Sequence, residues 1–204
     1  MTSPRASPPE GPGDPGGVFL TGATGFIGGR LLRALSARGH PVTCLARGEG
    51  ARRIAAMALP GVRVVEAELT RPATWLDHVA GHAVVVNTAG IIREAPGSSF
   101  AAVHTDAPIA LFEAAVRAGV RKIVQLSAMG ADETATSRFH RSKRAADERL
   151  AELDVPSVVL RPSLVYGPGD HSMTFFLSLA ALPLTPVPGD GRCGDVGTVS
   201  WARP

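Results

Sequence analysis

The sequence predicts an α/β fold, a doubly wound parallel sheet with helices on both faces, and three observations carry that prediction. Six short runs are β-branched and continuously apolar, as strands covered on both sides must be. The segments between them have helical spacing. The first run also opens directly into a glycine-rich turn at the head of the first helix.

The first strand is VFLT, residues 18–21, followed by GATGFIGG and a helix over 26–38. In that helix Ile27, Leu31, Ala34 and Leu35 form one apolar stripe, and Gly39 is a C-terminal stop. VTCLA (42–46), VRVVEA (62–67) and AVVVN (83–87) are the next three strands. A helix over 106–118 buries Ala107, Leu111, Ala114 and Ala115; Pro108 is harmless in its first turn and Gly119 closes it. KIVQLS (122–127) is the fifth strand, a third helix spans about 138–153, and SVVLRP (157–162) is the sixth strand.

Beyond Tyr166 the character changes to a loop signal, GPGDHSM, an apolar segment, FFLSLAAL, and a tail rich in Pro and Gly. The expected division is therefore a disordered leader over 1–17, a sheet domain over 18–165 and a remnant lobe or tail over 166–204.

A chain of 204 residues with 45% apolar content can bury a full core, but no apolar run approaches the roughly 18–20 residues of a bilayer span. The excess of basic residues is small, +3, and scattered, which argues against nucleic acid as a partner. Cys44 and Cys193 lie far apart and form no metal-ligand pair, which suits a reducing cytoplasm. The first seventeen residues lack a signal peptide's apolar core. His78 and His82 are spaced four apart, but Gly81 interrupts a helix there and no third ligand is evident, so no metal is expected.

Gly22, Gly25 and Gly28 have GxxGxxG spacing between a strand and a helix, the arrangement that cradles a dinucleotide pyrophosphate. Gly22 permits the tight turn, Gly25 lets the backbone approach the phosphates, and Gly28 lets helix and strand pack closely. Thr24 lies within the turn, and the N–H groups around Phe26 and Ile27 face the phosphates with the helix dipole behind them. The second strand ends TCLARGEG, with Arg47 where an NAD site carries a carboxylate. A guanidinium suits a 2′-phosphate, so NADP(H) is favoured over NAD(H).

TGATGFIG, NTAG (87–90), LSAMGAD (126–132) and RPSLVYGPGD (161–170), in this order and these contexts, resemble the short-chain dehydrogenase/reductase superfamily. The resemblance is to its extended or atypical branch, described as NAD-dependent epimerase/dehydratase-like. VVNTAGIIRE, LSAMGAD and HRSKRAADE are most similar to the group related to the nucleotide-binding accessory subunit of respiratory complex I. The resemblance implies a Rossmann-type fold with Glu68 and Leu69 beside the adenine, Thr88, Ala89 and Gly90 along the ribose and pyrophosphate, and Pro162 among the cofactor contacts. Glu68 stands where relatives usually have aspartate.

The family's chemistry uses a serine, a tyrosine and a lysine. Ser127 and Lys143 match the first and last, but the tyrosine position holds Phe139. A lysine ammonium lowers the tyrosine's pKa and also hydrogen-bonds the nicotinamide ribose; beside phenylalanine only the second role survives. His140 is adjacent but about 100° away on a helix, and His104 replaces the relay asparagine, where it is expected to bind a backbone carbonyl or water. Tyr166 belongs to a structural loop. Relatives continue beyond GDGR (189–192) into a substrate lobe, which is expected to be truncated here, with the apolar segment covered by packing back or by a protein partner.

Two functions follow. One is an NAD(P)-dependent oxidoreductase or epimerase moving hydride between nicotinamide and a carbonyl or alcohol carbon. The other is a dinucleotide-binding structural, assembly or redox-sensing protein without turnover.

Overall fold

The computed structural model describes residues 16–167 and 198–200. Strands β1 (Val18–Thr21), β2 (Val42–Ala46), β3 (Val62–Glu66), β4 (Val84–Asn87), β5 (Lys122–Leu126) and β6 (Ser157–Leu160) form one parallel sheet in the order β3-β2-β1-β4-β5-β6. The six expected strands are all present, shorter at their ends by up to two residues. Helices α1 (Phe26–Ala37), α2 (Gly48–Ala56), α3 (Ala107–Arg117) and α4 (Arg138–Ala151) connect them. Two short strands, β7 (Leu164–Tyr166) and β8 (Thr198–Ser200), pair separately.

Side-chain alternation along the strands feeds two cores. Phe19 of β1 enters one with Trp75, Val85, Phe112, Ile123 and Leu150, on the side of α3 and α4. Leu20 enters the other with Leu32, Val42, Cys44, Ile54 and Val86, on the side of α1 and α2. Burial pushes the Cys44 thiol up to about 12, so it behaves as a small apolar residue. His82 is held by Thr43 Oγ1 at 2.8 Å and the Val79 carbonyl at 3.1 Å, which gives it a structural role.

Two expectations change. The most buried line of α1 is Gly28, Gly29, Leu32 and Ser36, while Ile27, Leu31, Ala34 and Leu35 are only partly covered. The two glycines bring this helix onto the sheet along their own line, and Ile27 and Leu31 are left to line an apolar groove of about 510 Å³ with Val86, Leu126, Leu160 and Val165. Strand β6 is an edge strand, with Val158 and Leu160 exposed, rather than covered on both faces. The expectations for a leader and for the apolar segment and tail fall almost wholly outside the described residues. No helix among the described residues is long and apolar enough to cross a membrane.

Sheet order reverses between β1 and β4. The crevice that opens at such a point, outside the carboxyl ends of the strands, is where open α/β sheets bind ligands.

Candidate functional site

At that crevice the glycine turn is held by sterics. Gly22 has φ +78°, and a Cβ there would stand 2.5 Å from the backbone of Thr88 and Ala89. A Cβ on Gly28 would meet the Gly22 carbonyl oxygen at 2.2 Å and Thr88 Oγ1 at 2.5 Å. Gly25 caps α1, and among the described residues a Cβ there would meet only the Gly22 oxygen, at 3.3 Å. The first helical turn, Phe26 to Gly28, leaves its N–H groups without intrahelical partners behind this turn. The Phe26 side chain lies under the Arg30 guanidinium at 4.8 Å.

The rim is stiffened by a polar ladder that sequence reasoning missed. Thr21 Oγ1 donates to Asn87 Oδ1 at 2.5 Å, and Asn87 Nδ2 donates to Gln125 Oε1 at 2.7 Å, across three registered strands. The Ala89 N–H donates to the same Asn87 oxygen at 3.2 Å, and Thr88 Oγ1 donates to the Thr21 carbonyl at 2.7 Å. Buried polar residues at or next to the ends of three neighbouring apolar strands were the available signal. The ladder fixes the path of Thr88, Ala89 and Gly90.

A cavity of about 240 Å³ runs along this rim. It joins Gly22, Thr24 and Gly25 to Arg47 and Glu68 on one side, and to Leu69, Thr88, Ala89 and Gly90 on the other. At its outer end Arg47 Nη1 is ion-paired with Glu68 Oε1. The carbonyls of Glu68 and Leu69 both accept from Trp75 Nε1 at 3.1 Å, and Trp75 is buried, so this loop is pinned from below. That pin was not foreseen.

At the inner end, a Cβ on Gly90 would stand 3.2 Å from Lys143 Nζ and 3.5 Å from His104 Nε2. Lys143 is buried and donates to the Leu126 carbonyl at 3.0 Å. Burial pulls its pKa down to about 8, partly opposed by the carboxylate of Asp147. Asp147 is itself buried, which raises its pKa against the pull of Ser127, Arg161 and Lys143, and its Oδ2 accepts from Arg161 Nε and Nη2 at 3.3 and 3.2 Å. Ser127 lies near enough to Asp147 to influence it. Yet by geometry neither Ser127 Oγ nor Asp147 Oδ1 has a well-formed hydrogen bond among the described residues.

Phe139 is half-buried in an aromatic cluster, edge-on to Phe100 at 5.7 Å, to His104 at 5.2 Å and to His140 at 5.2 Å. His104 lies in a π-helical turn, Ala101–Asp106, just before α3. Its Nε2 accepts the Ile91 N–H at 2.9 Å, so the neutral ring carries its proton on Nδ1 and gives it to Ser142 Oγ at 3.0 Å. Ser142 in turn donates to the Phe139 carbonyl at 2.8 Å. The expected carbonyl or water partner of His104 is thus replaced by a backbone donor. Burial and the Lys143 charge lower its pKa to about 4. His140 is tied to Ser137 Oγ at 2.7 Å and faces Gly130 in the loop after β5. Pro162 lines the apolar groove instead of the cavity and accepts the Met129 N–H at 3.0 Å.

Residues 22–172 match the model of a family described as NAD(P)H-binding. The chain belongs to the NAD(P)H-binding family. The resemblance of its motifs to the extended short-chain dehydrogenase/reductases stands with this assignment. Among curated relatives, the chain is 36% identical to a ceramide reductase of Caulobacter vibrioides, over 84% of this chain and 54% of that protein. It is 30% identical to a mitochondrial NADH dehydrogenase [ubiquinone] 1 alpha subcomplex subunit 9 of Arabidopsis thaliana, over 76% of this chain and 40% of that protein. Among solved structures it is similar in fold to the enzyme WbmG of Bordetella bronchiseptica in complex with NAD, with a TM-score of 0.67 at 22% identity, covering 83% of this chain and 61% of that one. The chain spans about half the length of the curated relatives it matches.

Proposed function

We propose that this chain is the coenzyme-binding part of a cytoplasmic oxidoreductase that prefers NADP(H) to NAD(H) and acts on a carbonyl or alcohol carbon. The observation that carries the reading is Ser127 Oγ. This buried hydroxyl follows the end of β5, beside the Asp147 carboxylate and next to the Leu126 carbonyl that accepts from Lys143 of α4, and among the described residues it has no hydrogen bond of good geometry. Such a group is costly unless another oxygen completes it.

When bound, the dinucleotide supplies or accepts hydride at its nicotinamide ring. Ser127 holds the substrate oxygen. Lys143 is fixed by the Leu126 carbonyl beside Gly90, and its remaining N–H bonds serve the nicotinamide-side ribose. Phe139 has no proton to give. An ammonium with a pKa of about 8 is matched to neutral working pH, so Lys143 can supply the proton through an intervening water. Ile92, 89% exposed after β4, and Met129, 47% exposed after β5, give the strand ends an apolar rim. That rim suits a substrate with an apolar body, the kind a ceramide reductase acts on.

A second reading, dinucleotide binding without turnover, is favoured by one observation: Phe139 and His104 are both committed to internal contacts. Calorimetric titration with NADPH and NADH, then coenzyme oxidation with a panel of apolar ketones, tests both readings. NADPH is expected to bind more tightly and to be oxidised slowly by the wild type, with Phe139→Tyr about 10²- to 10⁴-fold faster. Activity only in Phe139→Tyr decides for the non-catalytic reading. Binding of neither nucleotide ends both.

A further inference from the structure

Arg47 and Glu68 come from the carboxyl ends of neighbouring strands, β2 and β3, whose register pairs Ala46 with Glu66. The Ala67 N–H continues that ladder, donating to the Ala46 carbonyl at 3.0 Å, so residues 47 and 68 emerge side by side. Trp75 then fixes the Glu68 backbone through its carbonyl. The glutamate side chain therefore leaves a rigid base and reaches Arg47, while both residues line the dinucleotide cavity.

A 2′-phosphate needs a free guanidinium and no carboxylate beside it. This chain provides the first only by breaking an ion pair, and it keeps the second in place. The 2′-hydroxyl of NADH has no such conflict, because it can donate to the carboxylate and leave the pair intact.

We infer that Glu68 is a specificity-determining residue of the coenzyme site: by pairing with Arg47 it withholds the 2′-phosphate contact and lets NADH compete with NADPH. The inference rests on the dinucleotide reading of the cavity. It makes the NADPH preference a small difference between an attraction and a repulsion. The pair is open to water, with side-chain exposures of 68% and 31%, so salt screens its strength.

The test is the dissociation constant of each nucleotide, by isothermal titration, for the full chain and for Glu68→Gln, Glu68→Asp and Arg47→Ala. Glu68→Gln is expected to tighten NADPH by about 3- to 10-fold while NADH moves by less than about twofold. Glu68→Asp, one methylene shorter, keeps the charge but retracts it from Arg47 and is expected to give a smaller gain in the same direction. In the Arg47→Ala background the gain from Glu68→Gln should shrink.

Equal weakening of both nucleotides by Glu68→Gln would make the residue an adenine contact and overturn the inference. So would an unchanged ratio, or a full gain that persists without Arg47. Failure of the wild type to bind either nucleotide would instead remove the dinucleotide reading beneath it.

Discussion

Lys143 and Asp147 stand one turn apart on the buried face of α4, and each carries a charge that the other makes tolerable. The lysine reaches the Leu126 carbonyl and the aspartate takes Arg161. Ser127 lies close to the aspartate. The pair thus braces two strands, β5 and β6, from a single helix.

Because burial pulls the Lys143 pKa down to about 8, the proposed contact with the ribose predicts that dinucleotide affinity falls as pH rises through that value, when the ammonium loses a proton. Asp147→Asn removes the negative charge that favours the ammonium, so the midpoint should move lower. Titration of NADPH binding from about pH 7 to 9.5 checks this, and a flat profile counts against the ribose role. Stability of the free chain carries the opposite sign. The folded pKa lies below the ordinary lysine value of 10.5, so the unfolded chain holds more protons between the two values, and stability rises with pH across that window.

His104 makes a prediction on the acid side. Its folded pKa of about 4 lies below the ordinary 6.5, so the unfolded chain takes up the proton first and stability is lost as pH falls from 6.5 toward 4. The loss is on the order of 3 kcal/mol across the full window. Urea unfolding at neutral pH and again near the bottom of this window should show a shallower decline for His104→Asn. An equal decline would mean that other groups carry the acid sensitivity.

Asn87→Ala should cost about 3 kcal/mol, because it leaves Thr21, Gln125 and the Ala89 N–H without their shared partner in a buried setting. The Thr88 to Gly90 path would loosen with it, and nucleotide affinity should drop about tenfold or more. Denaturant midpoints and titration together separate the two effects. A variant as stable as wild type would show that the ladder is not what holds the rim.

The strands were legible because a covered parallel sheet demands an unbroken apolar run, and VFLT, VTCLA and AVVVN contain little else. The glycine cradle was legible because Gly22 and Gly28 answer to local sterics that only glycine meets. Helix α2 was not anticipated. Its sequence, GEGARRIAA, opens with two glycines around a glutamate and buries only Ala51 and Ile54, so packing on the sheet decides it. Nor could the pairing of Arg47 with Glu68, or of His104 with Ile91, be read in advance. Each joins residues that meet only after the sheet is assembled, and each redirects a side chain whose chemical type was correctly noted.

The hydrogen-bond chain from Ile91 through His104 and Ser142 to the Phe139 carbonyl is closed at both ends by main-chain groups. Protons cannot travel along a wire whose terminals are an amide and a carbonyl already spoken for. Reinstalling the phenol at residue 139 would therefore restore a donor but no supply line through His104. Each spent hydroxyl would have to be recharged by way of Lys143 and water, so turnover in such a variant would follow the protonation of that one lysine.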